Sequence, residues 1–168
     1  MSISRFYGVL LLACFSFCVS QAQVKEAPTY VKVTGEVTKP LQLTVADLAK
    51  MKRATVQLKD RDGKDHAYTG VDVQDILNLA GVTTGGQLRG ENLSKYMLVR
   101  CADGYEVLFS LAELDSAFTD RRVILADDLE GKPLPAGKGP FRLVVPGEHR
   151  PARSCHQVVE FVIRFAKD

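Results

Sequence analysis

Arginine offers several hydrogen-bond donors in a rigid fork, the geometry that clamps a phosphate or carboxylate. One arginine stands in a setting suited to that work. Arg142 lies within Gly137-Lys-Gly-Pro-Phe-Arg-Leu-Val-Val-Pro-Gly147, a glycine-rich approach to a short apolar strand that a proline and glycine then stop. The glycines permit tight turns or close backbone approach, and Phe141 to Val145 has the β-branched content of a strand. This arrangement suits a loop-bordered anion site; the plainer reading is a solvent-facing arginine on an ordinary strand. Arg100, His149, Arg150 and Arg153 are further cationic or polar candidates, and Tyr105 could cover a heterocycle with its ring. Each of these could equally be structural or solvated, and Tyr68 and Tyr105 could simply pack on a sheet.

Other chemistries find little support. The only histidines are His66, His149 and His156, and the chain has neither a Gly-x-Ser-x-Gly elbow nor a His-Glu-x-x-His helix. Asp127-Asp128 is an acidic pair, but neighbours on a strand point apart, so it reads as the solvated opening of a turn. Cys155-His156 is too little for a metal site, and no Cys-x-x-Cys occurs. Cys101 and Cys155 could pair in an oxidising compartment or remain two buried free thiols. A redox or ligand role is a third reading. Their spacing in sequence does not decide among these.

The compartment is suggested by the first residues. Arg5 precedes an apolar run from Phe6 to Val19, and Ser20-Gln21-Ala22 supplies the small residues of a cleavage site. The run is short for a spanning helix of about 20 residues and matches an export signal removed after Ala22. Leu11-Leu12-Ala13-Cys14 resembles a lipobox only loosely. Cleavage would discard Cys14 and Cys18, leave no stable membrane span, and place the protein in the periplasm or outside the cell. The whole chain has 22 basic and 20 acidic residues, a formal charge of +2. Loss of Arg5 lowers that by one, and such a balance without a basic run argues against nucleic acid as partner.

The remaining chain must position these groups with one modest core. Residues 23–29 read as an exposed linker and 30–168 as a single domain. Tyr30 to Val37 alternates as a strand. Thr44 opens a helix over Val45–Met51, with Asp47 completing a capping box. Thr55–Lys59 and His66–Tyr68 flank Asp60-Arg-Asp-Gly63, a hairpin signature. Asp72 is a second candidate N-cap, for a helix that buries Val73, Ile76, Leu77 and Ala80 and ends at Gly81. Thr83 to Ser94 reads as a loop. Tyr96–Cys101 and Tyr105–Phe109 form the next strand pair, and Ser110 and Glu113 offer another capping box. Val123–Ala126 is a strand, and Glu130-Gly-Lys-Pro133 a turn. The basic segment His149 to Arg153 leads to a half-buried strand in which Val159, Phe161, Ile163 and Phe165 alternate with Glu160, Val162 and Arg164. Helices among hairpins predict an α+β fold on a mixed sheet.

Five of these segments together resemble the oxidoreductase molybdopterin-binding domain, the catalytic domain of sulfite oxidases and related exported molybdoenzymes. They are Gly35-Glu-Val-Thr-Lys-Pro40 with Leu43-Thr-Val-Ala-Asp-Leu48; Tyr68-Thr-Gly-Val71 with Leu77-Asn-Leu-Ala-Gly81; Ala102-Asp-Gly-Tyr105; Gly131-Lys-Pro-Leu134; and Gly139 to Gly147. None is specific alone, but their order and spacing cover nearly all of residues 30–168. The resemblance implies a mixed α+β fold of the sulfite oxidase type, with molybdopterin as the implied cofactor. His149 to Val158 is similar to the ending of small stand-alone exported members.

The chemistry departs from that pattern. Family enzymes hold molybdenum through a cysteine early in the domain, but here Ala54-Thr-Val-Gln-Leu-Lys-Asp60 contains none. Thiolate is the soft ligand such a metal needs, and neither Gln57 nor Asp60 is equivalent. Nor does Cys101 or Cys155 fall in the motif of that ligand. The expectation is therefore an exported binding or accessory module for a small anionic or pterin-like ligand, or for an exported protein partner. Two alternatives remain: an oxidoreductase with atypical cofactor ligation, and a structural protein-interaction domain. Arg142 and Tyr105 are the candidates that fall within segments shared with the enzymes.

Overall fold

The computed structural model describes residues 28–166. The export signal, Cys14 and Cys18, and most of the expected linker lie outside the described residues. Ten strands and two helices run in the order β1 (Tyr30–Gly35), β2 (Leu41–Thr44), α1 (Val45–Leu48), β3 (Arg53–Lys59), β4 (Asp65–Asp72), α2 (Val73–Leu79), β5 (Lys95–Cys101), β6 (Glu106–Ser110), β7 (Ile124–Leu129), β8 (Lys132–Pro133), β9 (Arg142–Val144) and β10 (Val158–Phe165). They form two five-stranded sheets. The first has the order β2-β1-β10-β5-β6; the second runs β3-β4-β7-β8, with β9 also paired to β7. Strand β10 pairs parallel to β1 and antiparallel to β5, which makes the first sheet mixed. The fold is thus α+β with a mixed sheet, as the interspersed helices and hairpins predict.

The main core joins the two sheets. Val31, Val33, Met97, Val99, Phe161 and Ile163 from the first sheet cluster with Val71, Leu125 and Leu143 from the second, and with Ile76 and Leu77 of α2. Strand side chains alternate between faces. Ile124, Ala126 and Val144 therefore point the other way, into a second cluster with Leu58 and Tyr68. Arg142 neighbours Val144 by two residues on β9 and shares that outer face. Its row across the sheet runs through Ala126 to Gly70, two small residues beside a long stem.

Several local expectations match the elements and some need correction. Thr44 caps α1 with the reciprocal Asp47 bonds, and Ser110 and Glu113 do the same for a 3₁₀ turn at Leu111–Leu114. Helix α1 ends at Leu48, three residues earlier than expected. Asp72 precedes α2 but makes no side-chain cap; its carboxylate meets Arg122 at 3.0 Å. Thr83–Ser94 is not plain loop but carries 3₁₀ turns at Gly85–Gln87 and Gly90–Ser94. Asp127 is no solvated turn residue: β7 extends through it, it is 8 % exposed, and both its oxygens face Arg53. On β10 a register shift between Val158 and Glu160 breaks the alternation, so Val158 is buried in place of Val159.

Candidate functional site

The β3–β4 hairpin, the start of β9 and the segment after Pro151 meet around a cleft of about 660 Å³. Arg142 is on its wall, yet it is neither solvent-facing nor free. It is 2 % exposed. Its Nη1 donates to Asp60 Oδ2 at 2.7 Å and its Nη2 to Asp60 Oδ1 at 3.1 Å, a two-pronged pair. Nη1 also contacts the Tyr68 hydroxyl, which in turn donates to Asp60 at 2.8 Å. The guanidinium carbon lies 4.6 Å from the Tyr68 ring centroid, within cation–π range. The hairpin turn places Asp60 there: Asp60 N bonds Lys64 O, and Gly63, at φ +78°, closes the turn with N donating to Asp60 O.

This network sets the charges. The guanidinium bonded to Asp60 holds its carboxyl well below the usual carboxylate range, with the Tyr68 hydroxyl adding to the effect against partial burial. Tyr68 is pushed up to about 12, by burial first and then by its bond to the Asp60 carboxylate. Asp60 is therefore charged and Tyr68 neutral across the physiological range. The Arg142 Nε is buried without a partner.

Two histidines of opposite character flank the pair. His66 on β4 has both ring nitrogens bonded to carboxylates, Nε2 to Asp62 and Nδ1 to Glu130, each at 2.9 Å. These bonds, Asp62 first, raise its pKa. His156 forms a backbone bridge opposite Arg142. Burial, then the positive charges of Arg142 and Lys138, push it down to about 4, and its Nδ1 is buried without a partner. His66 is a clamped cation in the making, whereas His156 is a neutral ring beside a fixed cation.

Of the six ligand-binding candidates, the cleft gathers two. Tyr105, 47 % exposed, lines it and donates from its hydroxyl to Ala152 O at 3.1 Å. Arg100 lies on the first sheet and pairs with Glu106 and Glu160 at 2.9 and 3.1 Å. Arg153 bonds Glu113 at 3.0 Å, contacts Glu148, and stacks 4.3 Å from the Phe109 ring centroid. His149 and Arg150 are exposed and do not line the cleft. Cys155 lies on the cleft wall, and Cys101 shares the main core with it; both are buried and unbridged. Sequence reasoning missed Asp60, His66, Lys138 and His156 as site residues. The Asp60-Arg-Asp-Gly63 turn was visible, but nothing in it told that it would face a strand 82 residues away.

The architecture has known counterparts. No curated protein sequence matches the chain. Among solved structures it resembles the sulfane dehydrogenase SoxCD from Paracoccus pantotrophus, with a TM-score of 0.63 and 21 % identity, covering 84 % of this chain. The chain spans 40 % of the length of that SoxCD chain, and at such identity the likeness is one of fold. Residues 20–159 match the oxidoreductase molybdopterin binding domain. With the sulfite-oxidase-type sheets in place and most of its length matched, the chain belongs to the oxidoreductase molybdopterin-binding domain family.

Proposed function

We propose that this protein is an exported binding or accessory module of its family, taking a small anionic or pterin-like ligand in the cleft. One observation carries the reading: the cleft brings the exposed ring of Tyr105 together with Lys138, whose ammonium has no carboxylate partner among the described residues. A stacking face and an uncompensated cation are what a flat heterocycle bearing a negative group requires. Arg142 acts behind them, as a paired charge that stiffens the wall.

The residues fit the metal of the family's cofactor poorly. The β3–β4 hairpin, which forms one side of the cleft, holds no thiol, and its Asp60 is fully engaged by Arg142 and Tyr68. Among the described residues no group of three or more His, Cys, Asp or Glu side chains could hold a metal ion. Cleft size and polarity suit an organic ligand; the one thiol on its wall, Cys155, comes from the segment after Pro151 and belongs to no group of three metal-binding side chains among the described residues, too few donors for a soft metal.

Calorimetric titration with a phosphorylated pterin tests the reading. Lys138→Ala and Tyr105→Ala should each weaken binding about tenfold, as expected for one charged hydrogen bond or one stacking contact, while thermal unfolding stays close to that of the parent. Absence of saturable binding by the parent protein removes the proposal. A companion measurement concerns the metal. Protein produced in a molybdenum-sufficient, cofactor-making host should contain far less than one molybdenum per chain by elemental analysis. One metal per chain would restore the oxidoreductase with atypical ligation.

A further inference from the structure

Cys101 and Cys155 come from distant parts of the chain, yet both pack into the main core, near enough that each thiol shifts the titration of the other. Their backbones are fixed independently. Cys101 ends β5, and its N donates to Tyr105 O while its O accepts from Gly104 N, closing the β5–β6 hairpin. Cys155 O accepts from Leu143 N of β9, and Gln157 O accepts from Ala102 N, tying the two cysteine segments together. Two well-anchored segments therefore bring two sulfurs near one another. The plain alternative is a pair of small apolar side chains filling the core, since free cysteine is among the most buried residues. Two features exceed it. The thiols lie near one another, and only Cys155 opens onto the cleft wall, close to the Arg142 cation.

We propose that Cys155 and Cys101 are a reversible dithiol–disulfide couple, in which Cys155 exchanges with a low-molecular-weight disulfide entering the cleft and Cys101 resolves the product. Position assigns the roles: Cys155 lines the cleft and Cys101 does not, so an external disulfide in the cleft meets Cys155 first. The Cys101 thiol lowers the Cys155 pKa, against burial and Asp103, while Cys155 and burial raise that of Cys101. The thiolate is the attacking species in exchange, and access decides which thiol serves.

The step balances. The Cys155 thiolate attacks one sulfur of the external disulfide; a new S–S bond forms as the external one breaks, and the departing thiolate takes a proton. Cys101, its proton passing to solvent, then attacks the Cys155 sulfur. The Cys101–Cys155 bond forms and the second external thiolate leaves to be protonated. The protein dithiol loses two electrons, and one external disulfide becomes two thiols.

The experiment equilibrates the folded full chain across ratios of reduced to oxidised glutathione, quenches with acid, alkylates, and maps the cysteine peptides, which separates these residues from Cys14 and Cys18. The expected result is coordinate loss of alkylation at Cys101 and Cys155 toward the oxidising side, fully reversed by excess reduced glutathione. Cys101→Ser should trap a glutathione adduct on Cys155, and Cys155→Ser should leave Cys101 without one. Limiting iodoacetamide on the unmutated protein supplies the assignment if a variant fails to fold: Cys155 should label at least about tenfold faster than Cys101. Two thiols reduced at every ratio overturn the couple. So does a disulfide that excess reduced glutathione leaves closed, or faster labelling of Cys101.

Discussion

A guanidinium buried to 2 % exposure has to be matched in charge and in hydrogen bonds, and Asp60 with Tyr68 does both for Arg142. Arg142→Ala leaves the Asp60 carboxylate without its cation and the Tyr68 ring without its stacking partner. Loss of one member of a buried pair costs about 3–5 kcal/mol, and the 20 % exposure of the Asp60 side chain puts the expected loss at the lower end. Urea unfolding measures it. Arg142→Lys keeps the charge but not the fork, and should recover only part of the loss. If Arg142→Ala instead unfolds like the parent and loses pterin affinity, Arg142 is a ligand residue and the pairing is incidental. At this scale the sequence marks Arg142 through its strand and flanking glycines but hides its partner, because an ion pair spanning 82 residues leaves no local spacing to read. The same holds for Asp127, whose burial depends on Arg53 arriving from β3.

Elements with short-range logic were the legible ones. The Thr44/Asp47 and Ser110/Glu113 boxes each satisfy their bonds within four residues, so spacing alone suffices to find them. Both hairpins around Gly63 and Gly104, each at positive φ, follow from their turn residues. What could not be read is how elements meet: β10 lying parallel to β1, the second sheet folding its outer face over Tyr68, and the 3₁₀ turns that depend on contacts elsewhere. Asp115, for example, accepts from the Gly85 N of a turn thirty residues earlier. Glycine at Gly70 is explained only by that assembly. A Cβ there would stand 2.1 Å from Leu125 O and 2.5 Å from the Ala126 Cα, backbone atoms of the adjoining β7 that cannot swing aside. Gly70→Ala should therefore part β4 from β7 and destabilise the protein by at least about 2 kcal/mol. Gly63→Ala, with open space around it, should cost less, about 1 kcal/mol from its positive φ alone. Thermal unfolding of the two variants gives the order. Equal losses would mean that backbone approach at Gly70 is not what excludes a side chain.

For the molecule as a whole, the two sheets share one core while the cleft gathers its charges on the far side of the second sheet, so its titration should register in global stability. No helix among the described residues is long and apolar enough to cross a membrane. Three groups act in known directions. His156, held at about 4 in the fold, is protonated more readily in the unfolded chain, whose histidine titrates near 6.5. It contributes stability above that value, and the contribution drains away as pH falls from about 6.5 toward 4. Asp60, lowered by Arg142, contributes above its unfolded value of 3.8 and loses that contribution on further acidification. His66, raised by Asp62 and Glu130, works oppositely: it stabilises below 6.5, and its help is lost as pH rises through its raised value. The two histidines therefore act in adjacent windows, His156 between 6.5 and 4 and His66 above 6.5, and replacing each alone separates them. His156→Gln should be flatter than the parent over this range. It should gain on the parent by on the order of 1–2 kcal/mol between pH 7 and pH 4, after discounting for the partial exposure of the ring. His66→Gln should show its full deficit below 6.5 and approach the parent as pH rises through the raised value of the native ring. Urea unfolding at half-unit pH steps reads both curves. A His156→Gln curve parallel to the parent's would mean that the ring is solvated enough to titrate normally, and that Arg142 and Lys138 do not set the potential in the cleft.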